Sequence, residues 1–182
     1  VRRRRRGGSS WFPTIGTSSY ACVMEQLFDL PAHPLLVHVP VVVVPVVTVA
    51  LVWWVVIRKH PKGLPLATVV LAVVAGVGLM LASSSGEALV EAFSYLRDEP
   101  FVREHIEASE SARLWGVVTM VLVVAGYLAK RLVGRVPVLA TVSKVVLVGA
   151  LAASISASGF TIQAGHNGAK ARWIDIQFES NK

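Results

Sequence analysis

Four apolar runs dominate the chain: roughly Leu35–Ile57, Leu64–Ser84 (continuing as helix toward Phe93), Ala112–Val133 and Val136–Phe160 (extending to about Gly165). A helix needs about 20 predominantly apolar residues to cross a bilayer, and each run supplies them. In hydrocarbon the backbone must satisfy its own donors and acceptors, so unbroken runs of this kind span as helices. Valine is frequent in them and in water would favour strands, but the length of each run overrides that propensity. Membrane barrels would show alternating segments of about ten residues instead. The expected fold is therefore all-α, a four-helix transmembrane bundle with up-and-down topology. The composition agrees: 54% of the 182 residues are hydrophobic and 16% charged, against about 25% charged in soluble domains.

The connections carry a charge asymmetry. Arg58-Lys59-His60-Pro61-Lys62-Gly63 joins runs one and two, and Lys130-Arg131-Leu132-Val133-Gly134-Arg135 joins runs three and four. Between runs two and three lie Glu87, Glu91, Asp98, Glu99, Glu104, Glu107 and Glu110. The positive-inside rule places the two basic loops in the cytoplasm and both termini outside. The net charge of +7 owes most of its size to Arg2–Arg6, and without those five it is +2. A solvated tail is the expected role of this run, and nucleic acid is not an expected partner. Residues 1–30 read as a disordered or non-native segment, with Met24 favoured as the start of translation. The membrane domain covers 31–169, and 170–182 form a C-terminal tail. A single cysteine, Cys22, leaves no basis for an internal disulfide or a cysteine-ligated metal cluster.

Ionisable groups at a membrane boundary are costly and point to function. His33-Pro34-Leu35-Leu36-Val37-His38-Val39-Pro40 opens the first run. Helical spacing then suggests four inward faces: His38, Val42, Pro45, Val49; Ala72, Gly76, Ser83, Glu87; His105, Ser109, Ala112, Gly116, Thr119, Val123, Gly126; and Gly149, Ala152, Ser156, Gly159, Gln163, His166. Small residues of this kind allow close approach of helices in membranes. Up-and-down topology brings the titratable ends of these faces to the outer side. His38, His166 and His105 are thus candidate ligands of haem b. His33, His38, His166 and Glu87 are the alternative set for a transition metal, with Glu87 also able to orient a ring. The same residues admit a purely structural reading. His33 caps the first helix, His166 bonds across helices, and Glu87 pairs with Arg113.

The His33–Pro40 segment resembles the paired-histidine opening signature of a bacterial membrane-protein family known as domain of unknown function 2231. Ser85-Gly86-Glu87-Ala88 and Gly165-His166-Asn167-Gly168-Ala169 resemble its other landmarks, so the likeness covers about Pro31 to Trp173. Val39 stands where that family usually has an aromatic. The resemblance implies a four-helix membrane protein and no established activity; its recurring histidines correspond to His33, His38 and His166. The function expected on these grounds is a His-ligated haem or metal centre near the outer leaflet, exchanging electrons with a quinone or an external protein. The alternative is a non-catalytic accessory subunit of a membrane complex.

Overall fold

A computed structural model describes residues 26, 27, 30–57 and 59–179. The expectations for residues 1–25 and for the last three residues fall outside these. A two-residue antiparallel ladder, β1 (Gln26–Leu27) with β2 (Leu30–Pro31), leads into a short helix, α1 (Ala32–Leu36). Four long helices follow: α2 (His38–Val56), α3 (Leu64–Ala92), α4 (Pro100–Leu132) and α5 (Leu139–Glu179). With α1 continuing into α2, all four spans are long and apolar enough to cross a membrane. The protein is an all-α four-helix bundle of the multi-pass membrane kind. Helix α5 runs on beyond Ala169 to Glu179.

Local chemistry explains where the helices start. Proline is tolerated in the first turn because its missing donor has no partner there, and Pro65 and Pro100 occupy that position in α3 and α4. Pro40 likewise falls in the first turn of α2. Only Pro45 is internal to α2.

The long helices form a closed ring in which each packs on its sequence neighbours and α5 returns to α2. Their buried faces are Val44, Val47, Leu51 and Trp54 on α2; Ala72, Ala75, Leu79 and Ala82 on α3; Ala112, Gly116, Thr119 and Val123 on α4; and Leu147, Ala150, Ala157 and Ala164 on α5. Large apolar side chains such as Leu66, Leu114, Val121, Val145 and Ile155 are exposed, as expected where lipid rather than water surrounds the protein. Two expected inward faces are inward: that of α4 throughout, and that of α3 at Ala72 and Gly76. The other two are outward. On α2, Val42 and Val49 are 62% and 67% exposed, and on α5 Gly149, Ala152, Gly159, Gln163 and His166 are all exposed.

Close approach depends on the small residues. A Cβ on Gly126 would lie 2.7 Å from two carbons of Leu147, and one on Gly76 would lie 2.8 Å from the Met120 sulfur. Hydroxyl groups add cross-helix bonds in the apolar interior. Thr48 Oγ1 donates to the Ser154 carbonyl (3.1 Å) and pairs with Ser158 Oγ (2.9 Å), tying α2 to α5. Ser143 Oγ donates to the Gly126 carbonyl (2.8 Å), tying α5 to α4. Overpacking a tight contact costs about 1–3 kcal/mol. Gly126→Val is therefore expected to lower the melting temperature in detergent by several degrees. Gly159→Val, with open space around the site, is expected to leave melting within about a degree. Thermal unfolding of the two variants beside wild type checks this.

Candidate functional site: a histidine pair across the bundle

The structure brings His33 and His105 together at one end of the bundle. Their ring centroids lie 6.0 Å apart with the planes nearly perpendicular, at 86°. Each ring is seated against a different long helix. The α1 helix carries His33 and anchors through Ala32, which is 2% exposed. The His33 ring lies along α3, where a Cβ on Gly86 would be 3.0 Å from its Cε1 and 3.2 Å from its Nδ1. His105, on α4, lies along α5, where a Cβ on Gly168 would be 3.1 Å from its Nδ1. Glycine at both places lets an imidazole rest directly on helix backbone.

The hydrogen bonds settle the tautomers. His105 Nδ1 is 2.8 Å from the Ala164 carbonyl oxygen. His33 Nδ1 is 3.0 Å from the Ala82 carbonyl oxygen and 3.2 Å from Ser85 Oγ. A carbonyl only accepts, so both Nδ1 atoms carry the proton and donate it. Ser85 gives its own proton to the Ala82 carbonyl (2.8 Å) and can accept from His33. In the neutral rings both Nε2 atoms are consequently left with free lone pairs. Ala82, Ser85 and Ala164 are themselves buried.

The expected meeting of His38 with His166 gives way to this pair. His38 is exposed, and its Nδ1 donates within its own segment to the Pro34 carbonyl, at 2.6 Å. His166 is exposed on the outer face of α5. Its neighbours Asn167 and Gly168 face the bundle instead: Asn167 is buried and Gly168 supports His105. Glu87 makes an ion pair with Arg113, Nη1 to Oε1 3.2 Å, with the carboxylate side chain 63% exposed. So neither the haem set His38, His166, His105 nor the metal set His33, His38, His166, Glu87 is assembled. Among the described residues, no group of three or more His, Cys, Asp or Glu is placed to hold a metal ion.

A central apolar gap between Val44, Val47, Ala72, Ala75, Gly116 and Thr119 has room for about one water molecule.

Both histidines are candidate ligands in the sequence, His105 in the haem set and His33 in the metal set, but the sequence does not pair them. The missed signal was the pair of glycines, Gly86 and Gly168, each placed to receive a ring. Comparison with family models, with curated proteins and with solved structures gives no match.

Proposed function

We propose that this multi-pass membrane protein holds one transition-metal ion between His33 and His105, in the bacterial inner membrane near its outer face. The matched tautomers carry this reading. Metal-binding histidines generally donate the other ring N–H to a carbonyl or carboxylate, which aims the ring and raises its basicity. Both histidines have that arrangement at Nδ1. Two imidazoles that share an ion through bonds of about 2 Å have ring centres no more than roughly 6 Å apart, and the observed separation is 6.0 Å.

Copper is the ion that suits the donor set. Imidazole nitrogen binds copper, zinc, iron and nickel, but zinc sites use three or four protein ligands. Two imidazole nitrogens fit a low-coordinate copper(I) ion. Copper bound there would supply one-electron exchange, with a quinone or an external protein as the redox partner. The protein's own part is to aim the two Nε2 lone pairs and to keep the rings out of bulk water.

The reading also supports kinship with the family known as domain of unknown function 2231. The three segments that resemble its landmarks supply His33 itself and three residues that touch the histidine pair, Ser85, Gly86 and Gly168. A second reading, an accessory subunit of a membrane complex, is favoured by the outward face of α5. Gly149, Ala152, Gly159 and Gln163 are small or polar where lipid would favour large apolar side chains.

Anaerobic copper(I) titration of the purified, metal-stripped protein tests the first reading. About one equivalent is expected to bind. His33→Ala and His105→Ala are each expected to weaken binding at least tenfold, while His38→Ala and His166→Ala stay close to wild type. Absence of stoichiometric binding, or loss of it only in the His38 and His166 variants, would overturn it. The orientation is tested by cysteines placed at Lys62 and Asp98 in intact cells. An impermeant thiol reagent is expected to label position 98 and to spare position 62.

A further inference from the structure

The opposite end of the bundle carries a second set of paired groups. Trp54, near the end of α2, is 5% exposed. It meets Tyr127 of α4 edge to face, with centroids 6.4 Å apart at 69°. Each ring holds a cation. Lys130 Nζ sits 5.6 Å from the centre of the Trp54 ring, and the Arg131 guanidinium sits 5.4 Å from that of Tyr127. Arg131 Nε also donates to the Tyr127 hydroxyl oxygen, at 3.1 Å. The aromatic pair thus fixes two consecutive cations at the membrane boundary.

Nothing acidic is near in the sequence to neutralise them. No Asp or Glu occurs in residues 30–86 or in residues 111–174. Lys59, Lys62, Arg135 and Lys144 belong to the loops and helix starts of the same end, and all are exposed. The ion pair found among the described residues, Arg113 with Glu87, belongs to the histidine end. A cation over an aromatic face keeps its charge and its donors while losing much of its freedom. Arg in particular presents a planar fork suited to phosphate oxygens.

We propose that Lys130 and Arg131, seated on Trp54 and Tyr127, form a binding site for the phosphodiester headgroup of an anionic phospholipid. Three observations favour lipid as the occupant. The cations lie at the end of a membrane span, the exposed Trp53, next to Trp54 in sequence, is suited to the headgroup level, and basic clusters there attract anionic headgroups. The site is at the other end of the bundle from His33 and His105, so it stands or falls independently of metal binding.

Native mass spectrometry of the detergent-solubilised full chain tests this with phosphatidylglycerol and phosphatidylcholine in equal amounts. At least fivefold preferential retention of phosphatidylglycerol is expected, with a higher melting temperature in its presence. Lys130→Gln/Arg131→Gln is expected to reduce the preference at least threefold. Arg103→Gln/Lys170→Gln, at the other end, is expected to leave it unchanged. Soluble glycerol phosphate is expected not to compete at the same phosphate concentration. Equal retention of the two lipids by wild type, an undiminished preference in the Lys130/Arg131 variant, or full competition by glycerol phosphate would each overturn the proposal. If the double variant does not fold, the two single variants are read in the same assay, and an unchanged preference in both would likewise overturn it.

Discussion

A peptide group in hydrocarbon has no water to bond, and that constraint governs this protein from end to end. It forces the four apolar runs into helices whose ladders satisfy themselves. It also removes the usual reason for apolar faces to meet, since lipid tails are as apolar as Val or Leu. Association then depends on contact and on the few polar groups that can bond across helices. Gly126 against Leu147 is an example of the first, and Thr48 with Ser154 and Ser158 of the second. The histidine pair follows the same logic. A half-buried imidazole needs a partner for its N–H, and the acceptors are carbonyls of neighbouring helices, at Ala82 and Ala164.

The existence, number and kind of the helices were legible in the sequence, because run length alone decides them. The inward faces were legible only where composition separates one side of a helix from the other. On α4, Ala112, Gly116, Thr119, Val123 and Gly126 form one small-residue face flanked by larger side chains, and that face is buried. On α2 the residues from Val39 to Val49 are nearly all Val or Pro, so spacing cannot rank the faces. On α5 two stripes of small residues coexist. Ala150, Ala153, Ala157, Thr161 and Ala164 are the buried one, and Gly149, Ala152, Ser156, Gly159 and Gln163 the outward one. Choice of the glycine-bearing stripe moved the expected site from Gly168 to His166.

The place of His33 has a local reason as well. His33 and His38 lie five residues apart, so on a helix of 3.6 residues per turn they point to different sides. Starting the inward face of the first span at His38 therefore passes over His33, whose ring lies on α3, while His38 bonds the Pro34 carbonyl beside it. His105 raised no such difficulty, since it lies on the same uninterrupted helix as its stripe. Glu87 went to Arg113, the simplest partner for an exposed carboxylate, and such a pair contributes about 0–1 kcal/mol.

The pairing of His33 with His105 is tested most directly by solid-state NMR of the ¹⁵N-histidine-labelled, metal-stripped protein in lipid bilayers. The expected spectrum has a through-space correlation between the His33 and His105 rings, with the proton on Nδ1 and a bare Nε2 in both. A correlation between His38 and His166 in its place, or a proton on Nε2 of His33 and His105, would contradict it.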